Sequence, residues 1–368
     1  MIKIDAIYDK NLNFLLGSGA SFGLLPTLAL QICDANAKKQ TIETLATEFT
    51  KENKDYLKTL LFMYYYRSCI QPALALNVDT LTGAAEKKVI ENYEVFLKKI
   101  LHLLARRKTS VPSCNIFTTN YDGCVPLTAD RIIKEGSLTF NLNDGTEGFG
   151  RKLLHAKNFS TFKYQTGVFG EHRVNIPQIN LIHIHGSVYW KKSNNDIQVN
   201  YTGTLGSIEI PAEYQEDLNT FSELVNNNEK TTQDLYSLQF TPKDTAWFWN
   251  EFNKLPIVNP TKWKFHETVF EEHYYQMLRL LSYELEKENS IFITFGFSFA
   301  DEHILKLVQR SLSNPKLQVF ICCFNENEKN QMFEYFGNYR NVTPISIDEN
   351  LDFSKFNSDV LKHESAEA

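Results

Sequence analysis

Five stretches of this chain are apolar with little polar alternation, and each runs into a small or polar residue that breaks the pattern. They are Asn11 to Leu16 (NLNFLL), Cys114 to Thr118 (CNIFT), Asn180 to Ile184 (NLIHI), Ile291 to Phe295 (IFITF) and Leu317 to Phe324 (LQVFICCF). A strand with one face in water alternates polar and apolar residues, whereas a strand covered on both faces need not. Helical spacing separates the runs: Val89, Tyr93, Phe96, Ile100 and Leu104 over 86–107, Phe270, Tyr274, Met277, Leu281 and Leu285 in a long helix after Lys264, and Ile304, Val308 and Leu312. Together they predict an α/β fold, a Rossmann-like, mostly parallel sheet of at least five strands with helices on both faces.

Three stretches interrupt that alternation. Residues 28–108 read as a mostly helical insertion, with a further helical stretch over 40–70. Residues 135–175 are rich in glycine (Gly145, Gly148, Gly150, Gly167, Gly170), which predicts loops and a hairpin outside the sheet. Residues 191–262 are polar and asparagine-rich, an irregular second insertion with local elements around Leu218 to Val225 and Trp247 to Phe252. The aromatic groups Tyr64-Tyr65-Tyr66 and Trp247-Phe248-Trp249 in these insertions suit either a partner surface or a core. The reading is one domain over 1–350 and a polar tail over 351–368.

Composition removes several function classes. A net charge of −6 gives no general attraction to nucleic acid, and no sequence-specific contact to it is expected. The basic strip Arg106-Arg107-Lys108 reads as a solvated helix end whose cations suit the helix dipole. No apolar run approaches the ~20 residues of a membrane span, and MIKIDAIYDK lacks a signal-peptide pattern, so a cytoplasmic protein is expected. The six cysteines contain no C-x-x-C pair, which predicts reduced thiols and neither a zinc site nor a disulfide framework.

In open parallel sheets ligands bind beyond the carboxyl ends of the strands, and the special residues of this chain lie there. They are Gly17-Ser18-Gly19-Ala20-Ser21, Thr119-Asn120-Tyr121-Asp122, His185-Gly186-Ser187, Gly296-Phe297-Ser298 and Asn325. A glycine-serine turn after a first strand can bring backbone amides to a pyrophosphate, with Ser18 and Ser21 adding hydroxyls; a plain tight turn is the alternative. Asn120 offers a donor and an acceptor suited to a ribose diol, and Asp122 could orient a carboxamide or face a developing cation; an Asx-turn explains both equally well. His183 and His185 stand two apart, with only His185 at the strand end. No third ligand follows at a recognisable spacing, so no metal is expected. His102, His155, His172, His266, His273, His303 and His363 read as surface or packing residues.

The order GSGAS (17–21), TTNYD (118–122), HG (185–186), GFSF (296–299) and a strand ending at Asn325 resembles the motif series of the sirtuin, or SIR2-like, family over about residues 12–326. The resemblance implies NAD as substrate, with Asn120 and His185 in its chemistry and Asp122 near the nicotinamide. It places the pyrophosphate at Gly17 to Ser21 and the adenosine half at Ser298 and Asn325, with Thr119 and Gly296 also among the cofactor-binding residues. The paired cysteines of the deacetylase branch are missing between Asp122 and Gly296. PTKWKF (260–265) and GFSFADEHI (296–304) are instead similar to the bacterial SIR2-like branch of antiphage defence proteins. That branch implies NAD hydrolysis and partners such as a HerA-like ATPase or a short Argonaute; free NAD consumption would harm the cell, so gating by homo-oligomerisation or a partner is expected. An NAD- or ADP-ribose-sensing subunit without turnover, and a zinc-free deacylase or ADP-ribosyltransferase, are the alternatives.

Overall fold

The computed structural model describes residues 7–107, 111–166, 170, 173–202, 207–258 and 268–362. Lys108, Gly167, His172, the PTKWKF segment, His266 and the terminal run from His363 lie outside the described residues.

The principal strands are Asn11–Leu16 (β1), Ser113–Thr118 (β2), Asn141–Asn143 (β3), Gln178–His183 (β4), Ser290–Phe295 (β5), Gln318–Cys322 (β6) and Val342–Ile345 (β7). They form one seven-stranded sheet in the order β7-β6-β5-β1-β2-β4-β3, and every pairing is parallel. All five apolar runs are strands of this sheet. The principal helices are Ile42–Lys51 (α1), Asp55–Tyr65 (α2), Ala84–Ala105 (α3), Cys124–Glu135 (α4), Ala212–Val225 (α5), Ala246–Phe252 (α6), Thr268–Glu286 (α7), Glu302–Ser311 (α8) and Glu326–Phe336 (α9).

Side chains alternate across the sheet, as the strand period requires. Leu12, Phe14 and Leu16 of β1 join Ile116, Leu181 and Ile293 against α3 and α4. Leu15, Phe117, Ile182 and Phe292 point the other way, against Met277 and Leu281 of α7, Val308 of α8 and Phe336 of α9. Both faces are therefore covered by helices, which explains why the central strands need no polar face.

Three expectations about the interruptions change. The helical insertion is shorter than 28–108, because α3 packs directly on β1 and β2. What remains of it, Ala29–Cys33 through Leu74, does not stand alone. Phe49, Leu60, Phe62 and Tyr65 share a second core with Leu218 and Phe221 of α5 and Phe248 and Phe252 of α6. The two insertions are one lobe, and the second supplies helices to it at the two local elements expected, Ala212–Val225 and Ala246–Phe252.

The glycine-rich segment is not outside the sheet. It contributes β3 to the edge, and Thr146–Glu147 and Lys152–Leu154 join Trp190–Ser193 and Asp196–Val199 in a small antiparallel sheet. Residues 351–362 are not a tail: Leu351, Phe353, Phe356, Val360 and Leu361 are buried in the first core, with Phe356 stacked 4.5 Å from Phe295. The basic strip is not wholly solvated either. Arg107 turns inward and donates to the carbonyls of Lys10 at 2.7 Å and Ser113 at 3.3 Å.

A row of amides crosses the sheet beneath α7. The parallel register aligns Asn13, Asn115, Asn180 and Asn143 on four adjacent strands. Asn143 donates to Asn180 Oδ1 at 3.1 Å, Asn180 to Asn115 Oδ1 at 2.8 Å, and Asn115 to Asn13 Oδ1 at 2.8 Å. Asn13 then donates to the Ile291 carbonyl of β5 at 3.4 Å. Burying amides costs free energy unless they are hydrogen-bonded, and here each is satisfied by the next.

Candidate functional site

The chain leaves β1 toward β2 on one side and later crosses from β4 to β5 on the other. The carboxyl ends of β1 and β5 are thus the switch point of the sheet, where loops diverge and a crevice opens. The loop after β1 is Gly17 followed by a short 3-10 turn, Ser18–Ser21, and the loop after β5 begins at Gly296.

These two loops touch. Gly19 N donates to Gly296 O at 3.0 Å, and a Cβ on Gly17 would stand 2.3 Å from that same oxygen. Gly296 has φ +65, and a Cβ there would lie 2.6 Å from Ala20 N. The glycines therefore let the two loops approach each other. The amides of Gly17, Gly19 and Ala20 donate to the carbonyls of Phe295, Gly296 and Gly17. Those three amides are committed within the protein, unlike in the pyrophosphate cradle expected from the motif. Ala20 and Ser21 are buried, whereas Ser18 and the adjacent Phe22 are exposed.

Behind this turn lies a buried polar cluster. The Ser21 hydroxyl bonds Asp122 Oδ2 at 2.7 Å and Tyr93 Oη at 2.9 Å. Asp122 Oδ1 accepts Cys124 N at 2.9 Å, at the start of α4. Asn120 Nδ2 donates to Gly17 O at 3.0 Å and to Ser21 Oγ at 3.2 Å. Asn120 and Asp122 are both buried, and Thr119, half-buried, donates its N–H to Leu16 O at 3.2 Å. Burial, with Asp122 close by, raises both the Tyr93 hydroxyl and the Cys124 thiol well above their ordinary ranges. Neither is a nucleophile at neutral pH. Asp122 thus joins the loops after β1 and β2, a structural job the sequence reading had set beside a ligand-facing one.

His185 stands apart from that cluster, in the turn after β4. Thr118 pairs with His183, so Asn120 and His185 lie two residues beyond a common level on adjacent strands. His183 is buried, its Nδ1 2.9 Å from Asn120 O, and burial lowers its pKa. His185 keeps about a fifth of its side chain in solvent, at 19%. Its Nε2 is 3.0 Å from Asp301 Oδ2, and its ring lies 6.3 Å from that of Tyr274 on α7. The backbone around it is fixed by the end of the lobe: Val258 N donates to His185 O at 2.8 Å, and Ser187 N to Pro256 O at 3.2 Å.

Asp301 is a functional candidate that the sequence reading passed over. It is the N-cap of α8, its Oδ1 accepting His303 N at 2.8 Å and Ile304 N at 3.1 Å. Burial opposes its ionisation, but His185 and these two N–H groups outweigh it and hold the carboxyl well below the usual carboxylate range. An aspartate just before a periodic helix was the available signal. Glu43, near the start of α1, also feels His185 and Asp301: desolvation raises its carboxyl, His185 opposes that and Asp301 adds to it. Nothing in the sequence near Glu43 marked it, because the lobe brings it there.

The two remaining candidates sit on the β5 and β6 side. Ser298 is exposed in the loop that leads to Asp301. Asn325 caps α9, its Oδ1 accepting Glu328 N at 3.0 Å. The structure thus gathers Gly17 to Ser21, Asn120, Asp122 and Gly296 at the switch point, pairs His185 with Asp301, and gives Asn325 a capping bond. Among the described residues no group of three or more His, Cys, Asp or Glu side chains is arranged to hold a metal ion. Comparison with protein-family models gives no match, and comparison with curated proteins gives none.

Proposed function

We propose that this chain is an NAD+ hydrolase of the SIR2-like kind, cleaving the nicotinamide–ribose bond to nicotinamide and ADP-ribose. The observation that carries the proposal is His185, part-exposed two residues past the end of β4 and bonded to a carboxylate, with Asn120 two residues past the end of the neighbouring strand β2. A histidine with a carboxylate partner is the arrangement a general base requires.

In this reading His185 takes the proton of an attacking water while C1′–O forms and the C1′–N bond electrons leave with nicotinamide. The leaving group departs neutral, so little acid help is needed, and the main task is to support positive charge on the ribose. Asn120, whose amide nitrogen is spent on Gly17 and Ser21, would present its carbonyl oxygen to the ribose or the water. The carboxylates of Asp301 and Glu43 supply negative potential at the crevice. With the Gly17, Gly19 and Ala20 amides committed, the exposed Ser18 and Ser298 are the hydroxyls on offer to the diphosphate. Turnover harmful to the host would call for gating, and homo-oligomerisation or an ATPase or Argonaute partner belongs to this proposal.

The test is NAD+ consumption by the wild-type chain, Asn120→Ala and His185→Ala, with nicotinamide and ADP-ribose separated by chromatography. Loss of general-base catalysis should cost about 10² to 10⁴ in rate. Wild-type rates in both variants would sink the proposal. Binding of NAD+ by the wild type without any turnover would favour the sensing subunit instead.

A further inference from the structure

We infer that Asp301 is a positioning residue for His185, holding the imidazole in the tautomer that carries its proton on Nε2 and leaves Nδ1 as the base. The inference rests on the hydrolase reading for its chemical purpose, but its structural content stands apart from it.

The geometry carries it. A carboxylate only accepts hydrogen bonds, so the hydrogen shared across the 3.0 Å His185 Nε2 to Asp301 Oδ2 contact comes from the ring. Asp301 cannot turn away to solvent without losing its other two bonds, because Oδ1 caps α8 through His303 N and Ile304 N. One carboxylate thereby ties the ring to the first turn of α8. Its ionised form is favoured by the same three contacts, so it remains an acceptor through the pH range in which imidazole titrates. On its other sides His185 meets Tyr274 of α7 and the field of Glu43 on α1. Fixing one nitrogen by a carboxylate determines which proton the other can accept.

Asp301→Asn is the discriminating substitution. The amide oxygen can still cap α8, but Nδ2 now faces His185 and donates, which forces the ring proton onto Nδ1. Asp301→Ser keeps a helix cap while removing any bond to His185. Two readouts are required. With 15N-histidine labelling and His185→Gln to assign the signal, the wild type is expected to show His185 as the Nε2–H tautomer and Asp301→Asn as the Nδ1–H tautomer. NAD+ cleavage is expected to fall about 10²- to 10⁴-fold in Asp301→Asn. Cleavage is expected to fall in Asp301→Ser as well, because no carboxylate then holds the ring.

The same tautomer in wild type and Asp301→Asn overturns the inference, as does unchanged cleavage in both Asp301 variants. If the wild type cleaves no NAD+ at all, the hydrolase reading falls and the tautomer comparison alone decides the role of Asp301.

Discussion

Replacing Asn180 by alanine would cut the amide row of the central sheet at its middle. The side chain makes three bonds, donating to Asn115 Oδ1 at 2.8 Å and accepting from Asn143 Nδ2 at 3.1 Å and Gln178 Nε2 at 2.8 Å. The three partners lose unequally. Asn143 Nδ2 keeps the Asn158 carbonyl at 2.9 Å, and Gln178 Nε2 keeps the Thr161 carbonyl at 3.0 Å. Asn115 Oδ1 loses the donor that satisfies it. A buried group left unsatisfied costs about 1–3 kcal/mol, so one full loss and two half losses sum to about 2–6 kcal/mol. Urea unfolding followed by circular dichroism reads this as a lower midpoint at constant slope. Asn180→Leu should recover little, since it restores volume but none of the bonds. A loss below about 1 kcal/mol in the alanine variant would refute the reasoning, by showing that the stranded amides find other partners at no cost.

Three further outcomes are expected. Gly296→Ala should destabilise by about 2 kcal/mol or more, because its Cβ meets Ala20 N at 2.6 Å; Gly136→Ala, with φ +70 but open space, should lose only about 1 kcal/mol, and equal losses in thermal melts would contradict the account. Burial lowers the His273 pKa to about 3. The unfolded chain then binds the proton more readily below its ordinary value, so stability is complete above about pH 6.5 and falls with acid by up to about 1.4 kcal/mol per pH unit. His273→Phe should flatten that slope in unfolding measured between about pH 6.5 and 4, and an unchanged slope would count against it. Ending the chain after Asn350 removes Phe353 and Phe356 from their places against Tyr93, Phe96 and Phe295 and should give insoluble protein; a soluble, cooperatively melting product would contradict their place in the core.

The sheet was legible where burial on both faces leaves a mark. β1, β2, β4, β5 and β6 are apolar runs ending in turn residues, and each lies within two residues of its expected position. β3 (NLN) and β7 (VTPI) carried no such mark. Both are edge strands, which can be short and polar, and an edge tolerates Pro344 where a central strand would not. The second core was hidden for another reason. Its apolar residues come from two segments that each look half-polar alone, and only their mutual packing gives Phe62, Phe221 and Phe252 a common interior. At the site, position was readable and role was not. The motifs located Gly17, Asn120, Asp122 and His185 at strand ends, but sequence could not show that Asp122 faces Ser21 or that His185 faces Asp301.

The attachment of the His185 loop has a mechanical consequence. His185 and Ser187 are strapped by backbone bonds to Val258 and Pro256, the end of the lobe, whereas Asp301 is fixed to the helix that follows β5. The two halves of the pair therefore belong to opposite banks of the crevice. A displacement of the lobe by about 1 Å along the line of their 3.0 Å contact would lengthen it beyond hydrogen-bond range. Misplacements of that size can change catalytic rates by about 10²-fold. The lobe is thus joined to the histidine turn by two backbone bonds, and the registration of the His185–Asp301 pair depends on how the lobe seats against the sheet.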